Sequence, residues 1–362
     1  MIELNIDNKD IIIRFKNITK KFGDFNAVSD LNIEIKKGEI VGFLGPNGAG
    51  KSTTMKMMAY LLKPTEGEIW IRGNGRLEKL SNHNKDYLLD NIGFLIENPT
   101  FYGNVTPRII LKYFAELKGY PKKQLNQRIE EVVEMFGLSK WIDKKIKTFS
   151  KGMRQKIGIA SAIIHNPDII VLDEPQTGLD PQARREVRDF ILQLKKIGKT
   201  IFLSSHLLYE ISEVADRIAI INQGKIVAFD TLDNLESKAK KSIINFELLD
   251  HPEKNNLNIV LDHLRDILAP FTGVSEKINE VNWINYKEEA KIFQILFNGD
   301  PKNQLIILKT LLRHEYKVIE FSVPKAGLLE DLFIDLVTTG SSHPSNSTIN
   351  ENQKQKEILV EV

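Results

Sequence analysis

The chain has 362 residues, room for about two domains. Its 50 basic and 48 acidic residues leave a formal charge of +2, so no global pull toward nucleic acid is expected. Cysteine is absent, which excludes disulfides, thiolate catalysis and zinc–thiolate sites and is compatible with a reducing cytoplasm.

The amino terminus, Met1 to Asn5, lacks the basic start and apolar core of a signal peptide. No stretch of about 18 uninterrupted apolar residues follows, so a soluble protein is expected. Short β-like runs come first, at Ile11 to Phe15, Leu31 to Ile35, Ile40 to Leu44 and Glu68 to Ile71, separated by turns such as Lys36-Lys37-Gly38. Directly after the third run stands Gly45-Pro46-Asn47-Gly48-Ala49-Gly50-Lys51-Ser52-Thr53, the G-x-x-x-x-G-K-S pattern of a phosphate-binding loop. Its glycines let successive backbone N–H groups curl toward phosphate oxygens, and the helix expected near Lys51 adds the positive end of its dipole. Lys51 can reach the β- and γ-phosphates, and the Ser52 hydroxyl can ligate Mg²⁺. These residues predict binding of ATP or GTP.

From Pro107 to Phe136 the period becomes helical, with Ile109, Ile110, Tyr113, Phe114 and Leu117, then Ile129, Val132, Val133 and Phe136. Phe149-Ser150-Lys151-Gly152-Met153-Arg154-Gln155 opens an amphipathic helix; read alone, Ser150 is a good N-cap. Ile169 to Leu172 reads as a buried parallel strand ending in Asp173 and Glu174. Ligands of open α/β sheets collect at such carboxyl ends. Asp173 can hold Mg²⁺ through water, and Glu174 is placed to polarise a water attacking the γ-phosphate. Ser-x-Gly at a helix start is a second anion cradle. One chain cannot easily aim two cradles at one triphosphate, so this one is expected to serve a partner's nucleotide. A helix around Ala183 to Leu194, a strand at Thr200 to Ser204 and a hairpin from Ile218 to Phe229 complete a βαβ rhythm.

Residues 232–241 read as a linker. Beyond it, strands (Ile243 to Leu248, Ile292 to Phe297, Val318 to Val323) mix with helices (Leu257 to Leu268, Gln304 to Arg313, Leu328 to Leu336), which suggests a separate α+β domain at 242–337. The tail, 338–362, is rich in Ser, Asn, Gln and Thr and is expected to be disordered.

The first 231 residues resemble an ATP-binding cassette (ABC) ATPase, with every motif of that family in the family's order. Beside the phosphate loop, Phe149 to Met153 corresponds to the signature sequence, Asp173 and Glu174 to the magnesium aspartate and catalytic glutamate, and Gly178-Leu179-Asp180 to the D-loop. His206, in Ser204-Ser205-His206, matches the switch histidine, and Phe22 falls where the family stacks an aromatic on adenine. Two departures stand out. Glu97 occupies the usual glutamine position, and Lys151 and Met153 replace signature Gly and Gln. These variations, and the segment Gly327 to Phe333, resemble the multidrug and peptide-antibiotic export and self-immunity branch.

The resemblance implies a P-loop α/β fold: a mixed-sheet core, an antiparallel β subdomain and a helical subdomain at about 98–165. It also implies ATP and Mg²⁺ as ligands, with Ser52 and Asp173 on the metal and Glu97 near it. ATP on Lys51 and Ser52 of one cassette is closed over by Ser150 and Gly152 of a second, and Asp180 belongs to that composite site. Glu174 acts as base and His206 senses the γ-phosphate. Separate transmembrane permease subunits, docked around Glu97 to Tyr102, place the chain on the cytoplasmic face of the membrane, with no nucleic acid partner expected. Two alternatives stay open: a soluble ABC ATPase acting on nucleic acid or ribosomes, and an importer ATPase whose carboxy-terminal domain is regulatory.

Overall fold

The computed structural model describes residues 10–238, 242–252, 256–272, 283–288 and 290–323. The helix expected at Leu328 to Leu336, the segment Gly327 to Phe333 and the tail lie outside them. A long hairpin, β1 (Ile11–Phe22) and β2 (Phe25–Lys36), leads into β3 (Ile40–Leu44) and α1 (Lys51–Met58). Then follow β4 (Glu66–Gly73), β5 (Arg76–Lys79), α2 (Lys85–Asp90) and β6 (Ile92–Leu95). The helical stretch is two helices, α3 (Pro107–Leu117) and α4 (Lys122–Met135), broken at Gly119-Tyr120-Pro121, and α5 (Lys151–Ile163) packs on both. The cassette closes with β7 (Ile169–Leu172), α6 (Pro181–Lys196), β8 (Thr200–Ser205), α7 (Leu208–Ser212), β9 (Arg217–Asn222) and β10 (Lys225–Thr231).

Two sheets share this part of the chain. One is antiparallel, in the order β2-β1-β4-β5. The other runs β10-β9-β3-β8-β7-β6, parallel from β9 to β6, with β10 antiparallel on its edge. Strands β3, β7 and β8 are buried along their whole length, which explains the apolar runs of β3 and β7 and the Ile201-Phe202-Leu203 centre of β8. Phe202 of β8 bridges the sheets, with ring centroids 5.3 Å from Phe43 and 6.0 Å from Phe15. Such tilted pairs are worth about 1 kcal/mol each beyond the area they bury. On the far face of the parallel sheet, Ile157, Ile159 and Ala160 of α5 share a core with Ile129, Val132 and Val133 of α4 and Val187, Phe190 and Ile191 of α6.

Helix starts follow from local chemistry. Thr106, Ser150 and Asp180 cap α3, α5 and α6 by accepting the N–H three residues on, and Pro107 and Pro181 occupy first-turn positions that need no N–H donor. The expected linker begins instead as α8 (Leu232–Lys238), because Leu235 is buried in the cassette core and holds that turn down.

His165, just past α5, is a half-buried histidine whose two ring nitrogens are buried and not hydrogen-bonded; the backbone at Ile92 comes near without completing a bond. Burial, then the Lys118 charge, pushes its pKa down to about 4 from 6.5. The unfolded chain therefore binds the extra proton between those values, so stability rises with pH through the window and is complete above it. Urea melts should show the wild type losing about 2 kcal/mol from pH 7 to pH 5 through this site, and His165→Leu should remove that part of the slope. An unchanged slope in the variant contradicts the assignment.

The carboxy-terminal residues form β11 (Ser242–Leu248), α9 (Leu257–Leu268), β12 (Ile284–Lys287), β13 (Ile292–Phe297), α10 (Pro301–Arg313) and β14 (Val318–Ser322). The antiparallel sheet order is β12-β13-β11-β14, a split βαββαβ arrangement with its own core around Phe246, Phe293, Leu264 and Leu311. Short β12 was missing from the sequence expectation: with four residues it carries too little alternation to read.

Candidate functional site

The loop Gly45–Gly50 joins β3 to α1 at the carboxyl ends of the parallel strands. Gly50 has φ 109°, and a Cβ there would stand 2.5 Å from the Ala27 carbonyl. At Gly45 a Cβ would stand 2.4 Å from the Ile221 carbonyl. Glycine is required at both by the close approach of neighbouring backbone. The loop is further pinned by Gly224 N–H donating to the Ala49 carbonyl at 3.0 Å. Lys51, 4% exposed, donates from Nζ to the carbonyls of Gly45 at 2.7 Å and Pro46 at 3.1 Å. Its ammonium also lies 3.3 Å from Glu174 Oε1.

Glu174 takes a left-handed backbone conformation, φ 46°, seldom adopted by a residue with a side chain. That turn aims the carboxylate back over the strand ends. Oε2 accepts the Thr177 hydroxyl at 2.8 Å and lies 3.2 Å from His206 Nδ1. Burial pushes the Glu174 carboxyl up, but the Thr177 hydroxyl, the Lys51 ammonium and His206 together outweigh it and hold it below the usual carboxylate range. Beside it, buried Asp173 accepts the Ser204 hydroxyl at 2.5 Å, and the same Ser204 oxygen accepts the Glu174 N–H at 3.0 Å. Five expected residues from two strand ends and a helix start, namely Lys51, Ser52, Asp173, Glu174 and His206, thus fall in one place.

Among the described residues no group of three or more His, Asp or Glu side chains is arranged to hold a metal ion alone. The donors present, the Ser52 hydroxyl and Asp173 carboxylate, are hard oxygens. They suit a Mg²⁺ that completes its shell with water and phosphate oxygens, so the residues fit that ion.

The remaining expected residues are more scattered. Phe22 closes the β1–β2 turn, about half exposed, with Lys20 Nζ 5.0 Å over its ring. The start of β2 lies against the phosphate loop at Gly50, so Phe22 stands on the segment bordering it. Ser150 Oγ accepts the Met153 N–H at 3.2 Å, while Gly152 packs so closely on α6 that a Cβ would be 2.9 Å from that of Ala183. Asp180 Oδ1 accepts the Ala183 N–H at 2.9 Å. Glu97 pairs with Lys56 of α1, and its side chain is mostly exposed. A left-handed backbone at Glu97, φ 67°, accompanies this pairing.

Sequence reading missed Thr177 and Ser204, which join the carboxylates to their surroundings. A signal existed for Ser204, since an apolar strand ending in two serines places buried hydroxyls at the ligand end of the sheet. Thr177 carried none, because its role depends on the unusual turn at Glu174.

Comparison with known proteins defines the class. The ABC transporter family model matches residues 28–177. An uncharacterized ABC transporter ATP-binding protein of Bacillus subtilis (strain 168), YcbN, is 39% identical over 332 residues, covering 91% of this chain and 98% of its own length. The bacitracin transport ATP-binding protein BcrA of Bacillus licheniformis is 40% identical over 257 residues, covering 71% of this chain and 80% of that one. An ATP-binding cassette solved as a dimer in a post-hydrolysis state, bound to ADP and Pi, superposes with a TM-score of 0.55 at 27% identity, over 61% of this chain and 99% of that one. The chain belongs to the ABC transporter ATP-binding proteins, and its cassette is an ATPase.

Proposed function

We propose that the chain is the ATP-hydrolysing subunit of an exporter, acting as a cassette pair beneath separate membrane subunits. The observation that carries the catalytic part is the convergence of Lys51, Thr177 and His206 on the Glu174 carboxylate. Lys51 and the loop N–H groups bind the β- and γ-phosphates of ATP, and Phe22 stacks on the base. Glu174 orients and deprotonates the attacking water, and His206 stands beside it to contact the γ-phosphate. Ser52 and Asp173 hold Mg²⁺, which supplies charge neutralisation on the phosphates when bound. Glu97, paired with Lys56, is left out of the metal's ligands. Ser150, exposed at the start of α5, and Gly152 behind it close over the nucleotide of the second cassette, and Asp180 lines the same junction.

Ser150→Arg places a bulky cation where that second nucleotide would sit, far from the chain's own phosphate loop in sequence. It should block ATP-driven pairing while single-chain ATP affinity stays within about twofold. Size exclusion of the hydrolysis-disabled chain with ATP is the measurement; a persisting dimer contradicts the composite site.

Membrane docking is favoured by the surface beyond β6. Tyr102 is 86% exposed, and Ile109, Tyr113 and Leu117 form an exposed apolar stripe along α3 at a four-residue spacing. A row of this kind suits a partner helix. Phe101, by contrast, packs against the core. Among the described residues no helix is long and apolar enough to cross a membrane, and in this reading the membrane path is formed by separate permease subunits, with this chain on their cytoplasmic side. Similarity to a bacitracin transport protein favours export of a drug, peptide antibiotic or other amphiphile. Residues 1–231 are the nucleotide-binding domain and 242–337 an accessory domain. Co-purification from membranes with a permease subunit is expected, and association with ribosomes instead would overturn this part.

A further inference from the structure

A buried ionic link runs from the loop at Gly178–Asp180 to the loop at His206, through residues with no role in the site above. Glu210 of α7 is 2% exposed. Its Oε2 accepts the Ser205 hydroxyl at 2.7 Å, and Ser205 Oγ in turn accepts the Leu207 N–H at 3.0 Å. The two residues flanking His206 are therefore bridged by one hydroxyl, and that hydroxyl is fixed by Glu210. A carboxylate removed from water requires a counter-charge. Arg184, in the first turn of α6, supplies it: Nε lies 3.8 Å from Glu210 Oε1, while Nη2 donates to the Leu179 carbonyl at 3.2 Å. One guanidinium thus holds the loop before α6 with one nitrogen and faces the histidine segment with another.

The geometry is incomplete in an informative way. Arg184 Nε is buried and has no hydrogen-bond partner. An unmade donor in a buried place is costly, and a charge-assisted bond there would be among the stronger ones available. Moving α6 toward α7 by about 1 Å brings Nε into hydrogen-bond range of Glu210.

We propose that Arg184 and Glu210 are positioning residues for ATP hydrolysis, carrying contact at the Gly178–Asp180 loop across Ser205 to His206. The proposal rests on the reading that two cassettes pair about ATP. A second cassette pressing on the loop moves Leu179 and Arg184 together, and the Nε bond to Glu210 closes. Glu210 then draws on Ser205, which sets the backbone on either side of His206, 3.2 Å from Glu174.

The test uses the full chain with Glu210→Gln, Arg184→Lys and the double variant. Gln keeps an acceptor for Ser205 without the charge, and Lys keeps the charge without Nε. Each single variant should lower kcat roughly 10-fold, leave KM for ATP within about twofold and bring the Hill coefficient of hydrolysis toward 1. The double variant should be no worse than the weaker single one. ATP affinity of the isolated chain, read in a Ser150→Arg background, should not change. Wild-type kcat and Hill coefficient in both single variants overturn the proposal. So does a parallel fall of kcat, isolated-chain affinity and Tm, which marks a purely structural clamp. A wild-type chain that hydrolyses ATP without cooperativity removes the pairing reading itself; a cooperative wild type with equally cooperative variants removes only the relay.

Discussion

Glu174→Gln should slow ATP turnover by roughly 10²–10⁴-fold while ATP binding persists. The amide keeps the size of the side chain and can still accept the Thr177 hydroxyl, which lies 2.8 Å from Oε2. It loses the proton-accepting charge. The structure also explains how that charge survives beside a buried lysine and histidine. Burial raises the carboxyl, yet Thr177, Lys51 and His206 more than compensate, so the group is ionised across neutral pH. Because its pKa is lowered, wild-type turnover should hold as pH falls until the medium drops below the usual carboxylate range. ATP titration followed by phosphate release separates the two effects. Turnover at the wild-type rate in Glu174→Gln would remove the base assignment.

Lys51→Ala should weaken ATP binding by roughly 10²–10³-fold, the loss expected from one or two charge-assisted hydrogen bonds to phosphate. The ammonium is already oriented by the Gly45 and Pro46 carbonyls, so little side-chain freedom remains to be lost when phosphate arrives. The same substitution leaves Glu174 without its nearest cation, at 3.3 Å in the wild type. The carboxyl should then titrate higher than in the wild type. A fluorescent nucleotide titration reads the affinity, and a thermal melt checks that the variant is folded. Unchanged affinity would refute the phosphate-loop reading.

Much of this was legible before any coordinates. The phosphate loop, the apolar strand ending in Asp173-Glu174 and the ordered motifs after it are short-range patterns, and short-range patterns survive in sequence. Strand Ile169–Leu172 fell where its unbroken apolar run placed it, because a strand covered on both faces needs such a run. Elements were harder to read where packing overrides local pattern. Residues 232–238 have a linker's composition and yet form α8, since Leu235 reaches the cassette core. On α3 the helical period took in Ile109, Ile110, Tyr113, Phe114 and Leu117 together, but Ile109, Tyr113 and Leu117 are exposed, whereas Ile110, Leu111 and Ala115 are buried. Periodicity identifies a helix with an apolar stripe; it does not say which of two adjacent stripes faces inward.

The sequence by itself determined the G-x-x-x-x-G-K-S pattern, the order of the acids and the histidine after it, and the alternation of strand and helix patterns on either side of residues 232–241. Only the tertiary structure decided how those groups meet. Thr177 reaches Glu174 because the backbone turns left-handed at Glu174, and Ser204 links Asp173 to the Glu174 N–H because β8 lies beside β7 in register. Glu97 pairs with Lys56 of α1, a partner that its place in the motif order did not indicate. Arg184 and Glu210 carry no motif, and Ser205 entered only as the neighbour of His206; they become one network when α6, β8 and α7 pack together. The physical reason is common to all of these. A phosphate loop is closed by residues adjacent in the chain, whereas a buried charge finds its partner across the fold, at separations no local pattern records.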